Sequence, residues 1–305
     1  MPVWARTLGR WLGLWAWLCL GHPLAFADLN SVSATASPVR VLKVPRHTAE
    51  VDPEIQYLTD LLHQALSRGN LPVQIQLTEH GMTQARALEE VGLRRGQVDV
   101  AWAMTSEALE ARLQPIRIPL FRGLIGWRIP LVHGDTAHLF EKVEHKDLTH
   151  LRPGQMPFWP DTAVLAGNGI DVVTSSNYKS LFQMLAFKRI DYFPRSVTEV
   201  QRELAAHPEL PLALDPHVVI HYPAAFYFFV HPQDRELADA LRSGLESMVD
   251  DGSLRDTFDA HFGSELDRLN LPSRRVLRLN NPQLPAATPT ERPELWFSLT
   301  TDESP

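Results

Sequence analysis

The stretch Phe158-Trp159-Pro160-Asp161, then Ala166-Gly167-Asn168-Gly169-Ile170-Asp171-Val172-Val173, then Tyr178 to Phe187, then Arg189-Ile190-Asp191-Tyr192-Phe193-Pro194-Arg195-Ser196 decides the fold class. Asp161 is suited to cap a short helix, because a carboxylate accepts the free N–H groups of a first turn, and Gly167 or Gly169 can end that helix left-handed. Ile170 to Val173 reads as a short strand. Leu181, Phe182, Leu185 and Ala186 recur at helical spacing, and Ile190 to Phe193 return as a second strand. A helix-strand-helix-strand run predicts a parallel sheet with crossover helices, whose ligands sit at the carboxyl ends of strands. Pro194-Arg195-Ser196 falls at such an end, so Arg195 and Ser196 become the first candidate ligand contacts.

Outside that stretch, residues 1–27 stand apart. Arg6 and Arg10 give a basic start, Trp11 to Leu20 an apolar centre, and Ala25-Phe26-Ala27 a small-x-small cleavage site. The reading is an export signal cleaved after Ala27. The apolar run is too short for a membrane anchor, and His22-Pro23 interrupts it. The single cysteine, Cys19, lies inside this segment behind Trp17-Leu18, so the mature chain is expected to carry no disulfide and no thiol nucleophile. The signal holds two of the 29 basic residues and none of the 36 acidic ones, which leaves 27 − 36 = −9 for the remainder. That charge opposes nucleic acid or an anionic membrane as a partner. A soluble, periplasmic protein is expected, with 305 residues in all being enough for two lobes with a core each.

In chain order, Leu29 to Ser37 is a Ser/Ala-rich leader and Val39 to Val44 alternates as a first strand. Asp52-Pro53 opens a helix with Ile55, Leu58, Leu61, Leu62, Ala65 and Leu66 on its core face, stopped by Gly69-Asn70. Val73 to Leu77 alternates again, Gln84 to Leu93 is helical, and Gly96-Gln97-Val98-Asp99 turns into a third strand ending at Trp102. That is half of a doubly wound sheet. Two apolar segments, Phe121 to Val132 and Ala224 to Val230, bracket the second α/β unit and suggest that the chain crosses to another lobe and returns. Glu236 to Val249 is an amphipathic helix, and Leu254 to Phe262 a further helix ending at Gly263. Residues 270–305 are proline-rich, with Val276 to Leu279 as one candidate strand, and read as a tail wrapped over the surface.

This order of elements resembles the type II periplasmic solute-binding proteins, in particular the family 3 proteins that deliver polar amino acids to ABC importers. Gly96-Gln97-Val98-Asp99-Val100-Ala101, Lys188-Arg189-Ile190-Asp191 and Asp250-Asp251-Gly252-Ser253-Leu254 carry the resemblance, which covers residues 38–265. It implies an α/β fold of two lobes, each a doubly wound sheet, joined by two hinge crossings and closing over a small solute without chemistry. The implied division is a signal at 1–27, a first lobe at 28–130 and 225–269, a second lobe at 131–224, and a tail at 270–305. The sequence also departs from the family. Thr105-Ser106-Glu107-Ala108 stands where amino-acid binders place threonine-x-x-arginine, and Arg112 is out of step. Ser196 replaces the aspartate that holds the ligand's amino group, and Ile118-Pro119-Leu120-Phe121 replaces the usual Phe-Ser-x-Pro-Tyr strand. The zwitterion clamp of the family is therefore not intact.

Several side chains join Arg195 and Ser196 as ligand candidates. A guanidinium at a cleft takes a carboxylate or phosphate in two hydrogen bonds, although an arginine braced by Asp191 or Glu199 is the plainer role for Arg195. Trp102 and Trp159 at strand and helix ends, with Tyr192, can pack on a planar ligand, and core packing is the alternative for each. Tyr178 opens a helix whose free N–H groups favour an anion. Asp161 and Arg122 complete the set, with Arg128 beside them. Two rivals were weighed. Metal binding draws on His138, His145 and His150 with Glu141 and Glu144, or on His217 and His221, yet the spacing matches no compact zinc motif. Catalysis has only Glu79 with His80, and no nucleophile elbow or phosphate loop is present. The expectation is thus a non-enzymatic binder of a small polar, amino-acid-like or anionic solute, without cofactor or metal. It is expected to be monomeric, with a transporter permease or a sensor as membrane partner. A partner-binding protein that kept the lobes and lost transport is the alternative.

Overall fold

Alternation of apolar and polar residues extends Arg40–His47 (β1) and Val73–Met82 (β2), which pair in parallel with Leu42 beside Ile75. The computed structural model describes residues 39–47, 54–93 and 96–299. The export signal, the Ser/Ala leader and the Asp52-Pro53 helix start lie outside the described residues. Glu54–Arg68 (α1) buries Tyr57 and the expected stripe from Leu58 to Leu66. Gln84–Gly92 (α2) is capped by Thr83, whose hydroxyl accepts from the Arg86 N–H. Val100–Met104 (β3), the single turn Glu107–Glu110 (α3) and Gln114–Ile116 (β4) follow.

The chain then leaves the first sheet through Gly123, at φ +75°, and a 3-10 turn at Leu124–Gly126. Trp127–His133 (β5) belongs in full to a second sheet, so the crossing precedes the limit at residue 130 given by the sequence. The second unit continues as Gly154–Gln155 (β6), Pro160–Gly167 (α4), Val173–Thr174 (β7), Tyr178–Ala186 (α5), Phe193–Ser196 (β8), Val200–Ala205 (α6), Leu212–Leu214 (β9) and Val218–His221 (β10). Phe226–Val230 (β11) returns to the first unit and lies antiparallel between β3 and β4. Arg235–Asp250 (α7) and Ser253–Leu269 (α8) close that unit. An added Cβ at Gly244 of α7 would lie 1.8 Å from the Ala65 carbonyl oxygen, so the approach of α7 to α1 needs glycine there.

Three further expectations change. The strand run centred on Arg195 is not part of a parallel sheet: β8 is antiparallel to β5, with Arg195 opposite Ile129 and Ser196 opposite Arg128. Only the short β6–β7 pair and a bridge from Pro153 to Tyr192 run parallel there. The crossing strand β5 enters from the other unit and takes the centre of the sheet, so its partners face it reversed. Helix α8 does not stop at Gly263 but runs on to Leu269, because Phe258, Phe262 and Leu269 keep the buried stripe going.

The tail is not a surface wrap. Arg275–Arg278 (β12) pairs in parallel with β10 and becomes the edge of the second sheet. Arg275 donates to the carbonyls of Phe140, Glu141 and Val143, at 2.6 to 2.8 Å. The chain then turns back to the first unit, where Arg292 pairs with both oxygens of Glu246 and the Phe297 N–H meets the Arg122 carbonyl at 2.6 Å. Leu277 is buried among Val218, Ile220, Tyr222 and Leu279. Leu277→Ala should therefore cost about 2–4 kcal/mol in urea unfolding; a change below about 0.5 kcal/mol would mean that the tail strand is not part of the packed sheet.

Candidate functional site

Two buried ionic clusters lie in the second unit. In the first, Arg195 of β8 donates from Nε and Nη2 to Glu203 of α6, at 2.7 and 2.6 Å, and from Nη2 to Glu199 at 2.7 Å. The Tyr178 hydroxyl donates to the same Glu203. Trp159, Phe193 and Tyr178 surround the guanidinium at 4.7, 4.9 and 5.6 Å from their ring centroids. Burial alone would raise the Glu203 carboxyl, but the two-point contact with Arg195 and the bond from Tyr178 hold it below its ordinary value. Glu199 shifts upward: burial and the neighbouring Glu203 charge outweigh its one-point contact with Arg195.

In the second cluster Arg128 of β5 meets Asp161 at 2.6 Å, with both side chains buried. Tyr222 joins them, its hydroxyl accepting from Arg128 Nε at 3.0 Å and donating to Asp161. Asp161 is thus the counter-ion of a buried arginine and not a helix cap. Helix α4 begins at Pro160 after Trp159, so Asp161 lies inside the first turn and not at the cap position. Its other end follows expectation, with Gly169 at φ +76°.

A cavity of about 150 Å³ lies where the two units face one another. Glu54 and Leu58 of α1, Gln84 of α2, Trp102 of β3 and Phe226 of β11 supply one side, with Phe121 and Ile125 from the crossing. Thr198 and Glu199, just after β8, supply the other. Across the same gap Glu54 and Arg202 of α6 stand 4.0 Å apart. Larger hollows of about 570 Å³ beside Arg112 and 470 Å³ beside Arg122 take their lining from the first unit and the tail.

Of the ligand candidates named from the sequence, Trp102 alone lines this cavity. Arg195, Trp159 and Tyr178 are brought together one layer behind it, with Arg195 spending its donors on Glu199 and Glu203. Ser196 is fully buried and its hydroxyl lies 3.0 Å from that of Thr198, so it orients a lining residue without lining the cavity. Tyr192 packs edge-on against Phe140 inside the second unit. Arg122 turns to the tail, donating to the Trp296 carbonyl at 3.1 Å and lying over Phe258. Glu79 and His80 are exposed on β2. Among the described residues no group of three or more His, Cys, Asp or Glu is placed to hold a metal ion. Sequence reasoning missed Glu54, Gln84, Thr198 and Phe226, and took Glu199 only as a brace. A signal for Thr198 and Glu199 was present, since they follow the strand end that drew attention to Arg195.

No protein-family model matches the sequence, and no curated protein matches it. Solved structures do. The periplasmic VFT2 domain of Bordetella pertussis BvgS is 17% identical with a TM-score of 0.54, covering 73% of this chain and 93% of that one. An ancestral arginine-binding protein bound to glutamine is 15% identical with a TM-score of 0.53, covering 73% and 98%. A periplasmic binding protein of Salmonella typhimurium with high arginine specificity is 14% identical with a TM-score of 0.51, covering 73% and 99%. The chain has their fold. It is the two-lobed type II periplasmic binding fold, with β1 to β4 and β11 in one lobe and the sheet of β5, β8, β9, β10 and β12 in the other. No helix among the described residues is long and apolar enough to cross a membrane.

Two predictions follow from the buried groups of the second lobe. Asp161→Asn leaves Arg128 buried without its counter-charge and should cost about 3–5 kcal/mol, read from urea unfolding; an unchanged midpoint would show that the pair is dispensable. His221 of β10 stacks on Trp127 at 4.2 Å, and burial together with Arg278 pushes its pKa down to about 4. An unfolded imidazole titrates near 6.5, so the fold favours the neutral ring. The stability it adds is complete above about pH 6.5 and is lost as the pH falls toward 4, on the order of 3 kcal/mol. His221→Gln should flatten that part of the stability–pH curve relative to the parent, and two parallel curves would refute the assignment.

Proposed function

We propose that the protein binds a small polar solute between its lobes and closes around it by a hinge motion. The observation that carries this is the cavity lined from both lobes, with Glu54, Trp102 and Phe226 facing Thr198 and Glu199. A solute that touches both walls favours the state in which the walls are close, by as much as its affinities for the two states differ. The Glu54–Arg202 contact spans the same gap and adds to the closed form. The fold neighbours support an amino-acid-like solute, since two of them are described by their arginine or glutamine binding. An exported, periplasmic protein that hands its solute to an ABC importer agrees with the N-terminal sequence. Arg195, Trp159, Tyr178, Ser196 and Asp161 then act through the residues they hold in place. Trp102 packs on the solute directly.

A sensor or partner-regulated protein is the second reading. The tail favours it, because β12 and Arg292 fasten one segment to both lobes.

The test uses the mature chain from Asp28, refolded to strip bound solute, screened by thermal shift against amino acids, amines, organic acids and phosphorylated compounds. A solute at a hundred times its dissociation constant adds about 2.7 kcal/mol of stability. Because that chain holds no cysteine, labels at Gln76→Cys and Lys146→Cys, both exposed and on different lobes, report the distance between them. A stabilising solute should also shorten that distance and be recovered unchanged. Arg202→Ala should leave the stability nearly intact while weakening the solute that closes the lobes. Stabilisation with no change in distance would rule out closure, and a consumed solute would rule out a pure binder.

A further inference from the structure

Resting on the reading of two lobes that open and close, we propose that the C-terminal segment from Leu279 to Phe297 is a hinge lock, which grips both crossings and keeps the lobes close until Trp296 and Phe297 let go. The first crossing is held at its turning point. Arg122 at φ +49° and Gly123 at φ +75° are consecutive left-handed residues, and a residue other than glycine keeps that conformation only where its surroundings enforce it. The tail supplies those surroundings. The Phe297 N–H donates to the Arg122 carbonyl at 2.6 Å, and Arg122 Nη2 donates to the Trp296 carbonyl at 3.1 Å. The Trp296 ring covers Gly123 so closely that a Cβ there would strike it, and its indole N–H is fixed by the Pro289 carbonyl at 2.8 Å. Phe297 stands edge-on to Trp127, the first residue of β5, with ring centroids 5.6 Å apart.

The same segment holds the second crossing. The Leu279 N–H donates to the His221 carbonyl at 2.8 Å, and Asn281 Nδ2 donates to the Pro223 carbonyl at 2.9 Å. The crossings run side by side, joined by the Tyr222 N–H and the Gly126 carbonyl at 3.1 Å. Lobes part by φ/ψ changes in a few such connecting residues. Each of the two connections therefore carries a tail contact where it would have to turn.

The two ends of the lock are unequal. Strand β12 pairs along its whole length with β10 and buries Leu277, so the end on the second lobe is firm. At the other end Trp296 and Phe297 are only half-buried. The Arg292–Glu246 pair is 33% and 37% exposed, and an ion pair so open to water adds little. Release thus begins at residues 292–297. Parting the lobes loses these contacts along with the Glu54–Arg202 contact across the gap. The coupling is reciprocal: a solute that closes the lobes tightens the tail, and a partner that draws the tail away opens the lobes and weakens the solute. The resemblance read from the sequence covers residues 38–265, so the lock lies outside what that resemblance implies.

The experiment measures the distance between the labels at Gln76→Cys and Lys146→Cys in the refolded mature chain without solute. Trp296→Ala and, separately, Phe297→Ala should each shift the distribution to longer distances than in the parent. Both are repeated with Arg202→Ala, which removes the contact across the gap, and should lengthen the distance beyond that of Arg202→Ala alone. A second label pair within the first lobe, Gln76→Cys with Ser243→Cys, both exposed, should read the same in every variant. A change in that pair would make the tail a brace of the first lobe and overturn the lock. If neither tail variant lengthens the cross-lobe distance, alone or with Arg202→Ala, the lock is overturned. Should Arg202→Ala itself lengthen the distance in that case, the lobes do part and the hinge reading stands. If every variant keeps the parent distance, the lock falls together with the reading on which it rests.

Discussion

One guanidinium shared between two carboxylates organises the centre of this molecule. Arg195 sits in β8, while Glu199 and Glu203 lie at and within the first turns of α6. A buried arginine in an apolar wall is costly unless its donors are met, and here the partners come four and eight residues later in the same chain. The strand, the turn and the helix are therefore locked as one piece. Thr198 and Glu199 sit in that turn, and their places on the cavity wall are set by an arginine that does not itself line the cavity. Trp159 and Tyr178 complete the aromatic shell and tie α4 and α5 to the same charge. The Arg128–Asp161–Tyr222 cluster does a related job one strand away, joining β5, α4 and the end of β10.

Charge sharing of this kind has a consequence for recognition. A lobe built around free arginines presents a positive face to its solute. Here Arg195 and Arg128 are answered from within the second lobe, by Glu199 and Glu203 and by Asp161, so neither is a free donor at the cleft.

Much of the fold was legible because it rests on periodicity. The α1 and α7 stripes, the alternation of β1 and β2 and the two apolar crossings each follow from local pattern. Strand direction was not legible, because β5 and β11 are set by the passage between lobes and no local pattern records which neighbour they take. The site was half legible. The sequence marks Pro194-Arg195-Ser196 as a special place, yet it cannot say whether an arginine faces solute or two glutamates four and eight residues on. Glu203 falls one helical turn past Glu199, which is the spacing that allows both to converge on one guanidinium, and that was the available clue. Glu54 and Phe226 lie far from Glu199 in sequence, and only tertiary packing unites them.

The C-terminal segment adds a constraint that the two crossings alone do not impose. Opening a two-lobed protein needs the crossing strands to flex while each lobe stays rigid. In this chain α8 ends on the first lobe, β12 is zipped to the second, and Arg292, Trp296 and Phe297 return to the first. The return is tight at Gly123, where an added Cβ would lie 2.4 Å from the Trp296 ring. Trp127, at the start of β5, contacts His221 on one side and Phe297 on the other, so the tail packs on the very strand that leads across. A lobe rotation must therefore either bend the segment between Leu279 and Arg292 or free Trp296 and Arg292 from the first lobe. The segment from 280 to 291 is rich in proline and anchored by Asn168 and Pro223 at its near end. Its far end is held as well, with Thr288 buried and the Pro289 carbonyl accepting from the Trp296 indole N–H at 2.8 Å, so the tail joins the two lobes as a third connection beside the crossings.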